Sequence, residues 1–313
     1  CIIRQPNLGK AEALNSGIRV AKHDIIVALD ADTLFTPETV QRLIHHFYDP
    51  KIGAVAGNAK VGNRVNLLTR WQALEYITAQ NLDRRAFEKI NCITVVPGAI
   101  GAWRRAAIEQ AGGFNSDTLA EDADLTMRVI RNGFRVVYEP NAIAYTEAPQ
   151  SVSVFIRQRF RWMYGTLQAA WKHRSLILRK EGGALGMVAL PNVLLFQVAF
   201  PLISPIMDLT MLWTVVVAFL NYMQHPSDGL GSAFWHTLIY YSLFLSVDFI
   251  TALIAYLFEP EEDWKLLPWL IPQRFFYRQI MYYVAIKSFV AALRGPYVGW
   301  GKSQRYGSMQ SVR

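Results

Sequence analysis

Asp30-Ala31-Asp32 presents two carboxylates spaced i, i+2, just beyond the apolar run Ile25-Ile26-Val27-Ala28-Leu29. Two acids placed like this after a strand can hold a hard divalent cation, which in turn neutralises a diphosphate. The chain has 12 Asp, so a D-x-D arises by chance in roughly one such chain in two. Asp122-Ala123-Asp124 is a second one. The alternative for Asp30 and Asp32 is an acidic loop that caps the helix after it. Ala120-Glu121-Asp122 also has two readings. The acids can occupy the first turn of a helix, where the macrodipole favours them, or one can be a general base that deprotonates an acceptor hydroxyl. Gln158-Arg159-Phe160-Arg161-Trp162 is the most specific pattern, since the composition yields only about 0.03 chance occurrences of Q-x-x-R-W. Arg161 there can pair with a phosphate leaving group and Trp162 can offer a flat apolar face to a sugar ring. The plainer alternative is an interfacial helix that carries Arg and Trp. Lys10, after Gly9 at a helix start, can meet phosphate through backbone N–H groups and its ammonium, although Gly-Lys is a common pair. Gly98-Ala-Ile-Gly101-Ala-Trp103-Arg104 allows a close backbone approach, or equally a buried bend.

These side chains need a scaffold, and residues 1–150 supply alternating helical and strand patterns. Helices are expected at 10–21, at 37–48 with Thr36 as N-cap, at 67–89, and at 125–132 with Gly133 closing the end. Strands are expected at 24–30, 54–61, 94–103 and 134–138. Alternation of this kind indicates an α/β domain with a Rossmann-like, mostly parallel sheet of the doubly wound type. Ligands bind such sheets at the carboxyl ends of the strands, where Asp30 and Asp32 stand.

The charge distribution divides the chain. Of 32 basic residues, 24 precede residue 181, and the 84 residues from 181 to 264 contain none. A Lys or Arg at the centre of a membrane helix costs about 2.5–3.5 kcal/mol, so the run reads as embedded in a lipid bilayer. A crossing needs about 20 residues. Candidates are 185–202 and 205–222, hinged at Pro201 and Pro205, then 233–258 and a less apolar 275–293, giving about four helices within a transmembrane region at 181–294. Residues 151–180 contain an amphipathic helix expected along the interface with its arginines snorkelling, and 264–272 reads as another interfacial piece. The basic first half and the tail at 295–313 are expected on the cytoplasmic side. The acidic linker Glu259-Pro-Glu-Glu-Asp263 is expected outside. The alternative of three crossings, with 264–293 at the interface, would put the tail outside. The net charge of +8 suits lipid headgroups or a phosphate-bearing substrate. Nucleic acid is disfavoured, because the basic residues are scattered and match no such motif. Cys92 reads as a buried thiol, and neither it nor Cys1 has metal-ligand spacing. The start at Cys1, without an initiator Met, reads as a fragment whose natural N-terminus lies upstream.

In order along the chain stand Lys10 in its 7–15 segment, Asp30-x-Asp32, Gly98 to Arg104, Glu121-Asp122 and Gln158-x-x-Arg161-Trp162, followed by apolar helices. That order resembles the membrane-integrated family 2 glycosyltransferases, which include cellulose, chitin, hyaluronan and poly-N-acetylglucosamine synthases. Tyr145-Thr-Glu-Ala-Pro149, and Pro201-Leu-Ile-Ser-Pro205 with Asp208, are similar to the bacterial poly-N-acetylglucosamine branch. The resemblance implies a GT-A catalytic domain that transfers a sugar from a UDP-sugar, with inversion, to a growing polysaccharide at the inner membrane. It implies Mg²⁺ or Mn²⁺ at Asp32 and Asp30, with Asp32 the more direct ligand, and Asp122 as the general base. Lys10, Asp30, Glu121, Gln158, Arg161 and Trp162 would bind substrate. Two departures accompany it. Ala120 stands where many relatives have Thr, and the family's first strand, with its uracil-holding aspartate, is expected ahead of Cys1. No c-di-GMP-binding tail is visible. Competing functions are a non-processive transferase with a lipid-linked acceptor, and a non-catalytic transporter or scaffold. The last has no use for Asp30, Asp32, Asp122, Arg161 and Trp162 in one cleft.

Overall fold

A computed structural model describes residues 1–295. The tail expected on the cytoplasmic side, with Lys302, Arg305 and Arg313, lies outside the described residues. The first half runs α1 (Lys10–Val20), β1 (Ile25–Ala28), β2 (Leu34–Phe35), α2 (Thr39–His45), β3 (Ile52–Val61), α3 (Leu67–Glu75), α4 (Leu82–Glu88), β4 (Gly101–Arg104), α5 (Arg105–Gln110), α6 (Glu121–Arg131), β5 (Arg135–Thr146) and α7 (Val152–Lys172). A π-helical turn, Tyr76–Asn81, joins α3 to α4, so the long helix expected at 67–89 is one continuous element.

The five strands lie in the order β1-β4-β3-β5-β2. β3 and β5 are parallel, with Val55 opposite Val137. The other pairings are antiparallel, with Ile26 and Ala54 both opposite Trp103 and Leu34 opposite Tyr145. The sheet is therefore mixed, not mostly parallel as the alternation of elements suggested. The difference lies in the stretch expected as a strand at 94–103. Pro97 has no N–H for a ladder, and its carbonyl accepts from Ile100 N at 3.0 Å in a tight turn. Only Gly101–Arg104 then enters the sheet, against the direction of both neighbours.

All ten residues of β3 are buried, which makes it the central strand with a core on each face. Ala54, Ala56, Trp103 and Val136 pack under α1, α5 and α6 through Ala11, Ile108, Leu125 and Val129. On the other face, Val55 and Val137 pack with Leu43 of α2 and Leu74 of α3. Full burial of each such aliphatic side chain contributes about 1.5–3 kcal/mol.

Beyond α7, a helical run extends unbroken from Leu185 to Gln224. It passes through α8 (Leu190–Asn192) into α9 (Phe200–Gln224). The two crossings expected at 185–202 and 205–222 are thus one helix. The helix runs through both prolines without a reversal, since apolar helices tolerate internal proline. At 1.5 Å per residue the run is about 60 Å long, roughly twice a bilayer's hydrocarbon core. One face of its first part packs on the catalytic half: Leu185, Ala189, Leu190 and Val193 are buried with Ala123 and Met127 of α6 and Ala169 of α7. α10 (Gly231–Leu257) follows, then α11 (Leu270–Arg294). Among the described residues, two helices are long and apolar enough to cross a membrane, Leu185–Gln224 and Gly231–Leu257.

The acidic linker after α10 does not face away from the catalytic half. Glu259 reaches Lys60 Nζ at 3.0 Å and Arg85 at 3.0 Å, and Glu262 reaches Lys60 at 3.0 Å and Arg64 at 2.6 Å. Lys60 belongs to buried β3, so an ammonium in the core is matched by two acids from the linker that follows α10. The piece expected at the interface, 264–272, likewise buries Leu266 and Leu267 in the main core with Tyr256 of α10.

Candidate active site

β1 stops at Ala28, and a turn closed by Thr33 N–H on the Asp30 carbonyl at 3.1 Å presents Asp30 and the half-buried Asp32 beyond its carboxyl end. Lys10, the first residue of α1, places its Nζ 2.7 Å from Asp30 Oδ1 and 3.7 Å from Glu121 Oε1. Glu121 and Asp122 form the first turn of α6, which starts four residues earlier than the apolar pattern suggested. Asp122 Oδ1 accepts from Ala123 N at 2.9 Å, and its Oδ2 accepts from Gly98 N at 3.2 Å. The loop that carries Gly98 is tied to the same helix, because Val96 N donates to Thr126 Oγ1 at 3.0 Å. A Cβ at Gly98 would overlap the Lys10 ammonium and stand 3.8 Å from Asp122 Oδ2. Gly98 thus lets the loop close over Lys10 and Asp122.

Three acids around one ammonium shape its electrostatics. Burial alone would depress the Lys10 pKa, but Asp30, Asp122 and Glu121 outweigh it and raise it above the ordinary value. Glu121 is 4% exposed. Burial first, and the charge of Asp122 next, push its carboxyl up to about 7, against the pull of Lys10.

α7 is fastened to the chain just before Glu121. Gln168 Oε1 accepts from Leu119 N at 2.9 Å, and a Cβ at Gly165 would meet Ala120 N at 2.6 Å. Lys172 reaches Asp124 at 3.1 Å. Arg161 lies four residues before Gly165, on the same stripe of the helix and about one turn away. Gln158 is buried, and its Oε1 has no hydrogen-bond partner among the described residues. Trp162 is exposed at 37%. Lys10, Asp30, Glu121 and Asp122 therefore form one cluster. The helix that carries the motif, α7, meets the chain just before Glu121 through Gly165 and Gln168. Arg159 does not snorkel: it is buried and bonded in a fork to Glu75 Oε1 and Oε2 at 2.8 and 2.6 Å.

The donor chemistry at Asp30 and Asp32 fits a hard divalent cation. Mg²⁺ is held by one or two carboxylates plus substrate phosphates, not by an all-protein cage. Among the described residues no group of three His, Cys, Asp or Glu is placed to hold a metal ion. Asp30 already balances a positive charge, the Lys10 ammonium.

Sequence reasoning missed the fastening between α6 and α7. Asp124 is fully buried and takes Arg128 Nε at 2.8 Å, Lys172 and His173. Arg131 donates to His173 Nδ1 at 3.1 Å, which leaves Nε2–H facing Asp124 Oδ1 at 3.3 Å. The i, i+4 spacing of Asp124 and Arg128 was the available signal; His173, 49 residues on, gave none. Asp208 and Asp248, in the apolar helices, are held by α11: Gln279 reaches Asp208 at 2.8 Å, and Arg274 and Arg278 reach Asp248 at 2.6 and 3.0 Å.

The family model described as Glycosyl transferase family group 2 matches residues 25–286. A poly-beta-1,6-N-acetyl-D-glucosamine synthase of Staphylococcus aureus (strain COL) is 32% identical over 162 residues, 51% of this chain and 39% of that protein. One of the same name from Staphylococcus epidermidis is 29% identical over 160 residues, with the same shares. The chain thus matches about two-fifths of the length of these curated relatives. A mannosyltransferase from Pyrobaculum calidifontis, solved in complex with GDP-Man and Mn²⁺, aligns with a TM-score of 0.53 at 20% identity, covering 91% of this chain and 67% of that one. The likeness is one of fold, and that fold is GT-A.

Proposed function

Because the chain belongs to glycosyl transferase family group 2, we propose that it transfers N-acetylglucosamine from a UDP-sugar to the end of a growing β-linked polysaccharide at the cytoplasmic face of the cell membrane. The observation that carries this reading is the cluster of Lys10, Asp30, Glu121 and Asp122 under the Gly98 N–H, with the helix that bears Gln158-x-x-Arg161-Trp162 fastened at Leu119, just before Glu121. The printed names of the staphylococcal relatives support the choice of sugar and of a polymeric product. The two long apolar helices support a membrane location.

The reaction is one displacement. The acceptor hydroxyl oxygen bonds to the anomeric carbon as the bond from that carbon to the UDP oxygen breaks, and the departing pair stays on the phosphate. Asp122 takes the hydroxyl proton; its carboxylate is held in place by the Gly98 and Ala123 N–H groups. Arg161 and Lys10 offer charged N–H donors to the diphosphate, the kind of fixed stabilisation that usually dominates catalysis. A divalent cation at Asp30 and Asp32 would neutralise charge on the same diphosphate. Gln158 supplies a buried amide acceptor, and Trp162 a ring face for the acceptor sugar. The apolar helices that follow would carry the lengthening chain outward.

In membranes that hold the full-length protein, Asp122→Asn should reduce transfer from UDP-N-acetylglucosamine by about 10²–10⁴-fold, the range for a general base, while UDP still binds. Loss of UDP binding together with transfer would remove the base assignment. A product of single additions would remove the polymerising reading.

A further inference from the structure

Arg159 sits inside the Q-x-x-R-W motif, yet the chemistry above does not use it. It is 4% exposed. Its two terminal nitrogens meet the two oxygens of Glu75 from α3, and Nη2 also lies 3.2 Å from the Tyr277 hydroxyl of α11. Tyr277 in turn donates to Glu75, which closes a three-membered polar ring. The guanidinium carbon lies over the Trp162 ring, 4.6 Å from its centroid, and over the Phe155 ring, 5.0 Å from its centroid.

A buried ion pair is a poor source of stability, since apolar replacements of similar volume are often neutral or better. A forked Arg–carboxylate pair does fix a plane. Here the guanidinium held in that fork lies against the partly exposed indole of Trp162. Cation–π contact adds attraction that depends on this alignment. We propose that Arg159 is the positioning residue for Trp162, so that the acceptor's terminal sugar meets an indole whose angle is set by Glu75 and Tyr277. The inference rests on the reading of Trp162 as the acceptor platform. It makes that platform the joint product of α3, α7 and α11, and α11 enters from beyond the two apolar helices.

The test uses the full-length protein in membranes, with UDP-N-acetylglucosamine as donor and a β-1,6-linked N-acetylglucosamine tetramer as acceptor. Arg159→Lys keeps the charge but loses the fork. It should raise the acceptor KM about tenfold, a typical cost of losing one well-placed interaction, while the donor KM does not follow. In a Trp162→Ala background the same change should add nothing, because coupled residues are not additive. A full additional effect in that background would overturn the positioning role and leave the platform reading intact. If Trp162→Ala leaves the acceptor KM unmoved, the platform reading falls and the proposal with it. Should Arg159→Lys fail to fold, Glu75→Gln, which keeps the shape of the carboxylate but not its charge, must show the same dependence on Trp162.

Discussion

The Lys10 ammonium lies 2.7 Å from Asp30 Oδ1, so the carboxylate expected to face a divalent cation already faces a cation. Two positive charges then compete for one acid, while a diphosphate would draw on both. Removing one should therefore act in opposite directions on the two ligands. Lys10→Met should tighten binding of Mn²⁺ alone about tenfold, since relief of one like-charge contact near a protein surface is worth on the order of 1–4 kcal/mol. It should weaken UDP binding, because a charge-assisted donor is lost. Calorimetric titration with Mn²⁺ and, separately, with UDP checks both signs; weaker Mn²⁺ binding would contradict this account.

Glu121 is the acid whose burial sets a pH dependence. Its folded pKa, near 7, lies above the ordinary carboxylate range, so the fold disfavours its ionised form. Stability from this site is complete below the ordinary pKa and is lost as pH rises through about 7. Glu121→Gln removes that loss. The variant should gain thermal stability over the parent between pH 4 and pH 8, by about 3 kcal/mol in all for a shift of this size. Thermal unfolding in detergent at the two pH values measures it, and a constant difference would refute it.

Asp124 runs the other way. Burial alone would raise its pKa, but His173, Arg128 and Lys172 outweigh it and hold the carboxyl down at about 2. Its contribution is complete above the unfolded pKa and fades as pH falls through the folded one. At neutral pH it is worth about 2 kcal/mol. Asp124→Asn should lower the melting temperature at pH 7 and flatten the acid side of the stability curve between pH 4 and 3. Because Asp124 joins α6 to α7, the same variant should loosen Asp122 relative to Arg161 and lower transfer.

The candidate site was read from local spacing. Asp30-x-Asp32, Glu121-Asp122 and Gln158-x-x-Arg161-Trp162 are short patterns whose geometry follows from one strand end or one helix. The amphipathic helix expected within 151–180 appears at Val152–Lys172. What spacing does not encode is direction and distant charge. The reversal at Pro97 that turns β4 antiparallel is a single turn, invisible to a pattern of alternating elements. The pairing of Arg159 with Glu75 joins residues 84 apart. Glu259 was expected outside because orientation was argued from basic residues near helix ends. Its partner Lys60, buried in β3 and 199 residues earlier in the chain, overrides that argument.

That last pairing has a topological consequence. If Glu259 and Glu262 are held by Lys60, Arg64 and Arg85, then the linker and the catalytic half share one side of the membrane. α9 and α10 then form a hairpin whose turn, at 225–230, lies on the other side. In a background with exposed Cys1 replaced by Ser, leaving only buried Cys92, a cysteine at exposed Glu261 should react with a membrane-impermeant maleimide only from the catalytic side. A cysteine at exposed Gln224 should react only from the opposite side. Lys60→Met should free the linker at a cost of about 3–5 kcal/mol, because it leaves two buried acids short of a partner; the labelling rate at Glu261→Cys should then rise. Labelling of Glu261→Cys from the far side would return the linker to the outside and undo the hairpin.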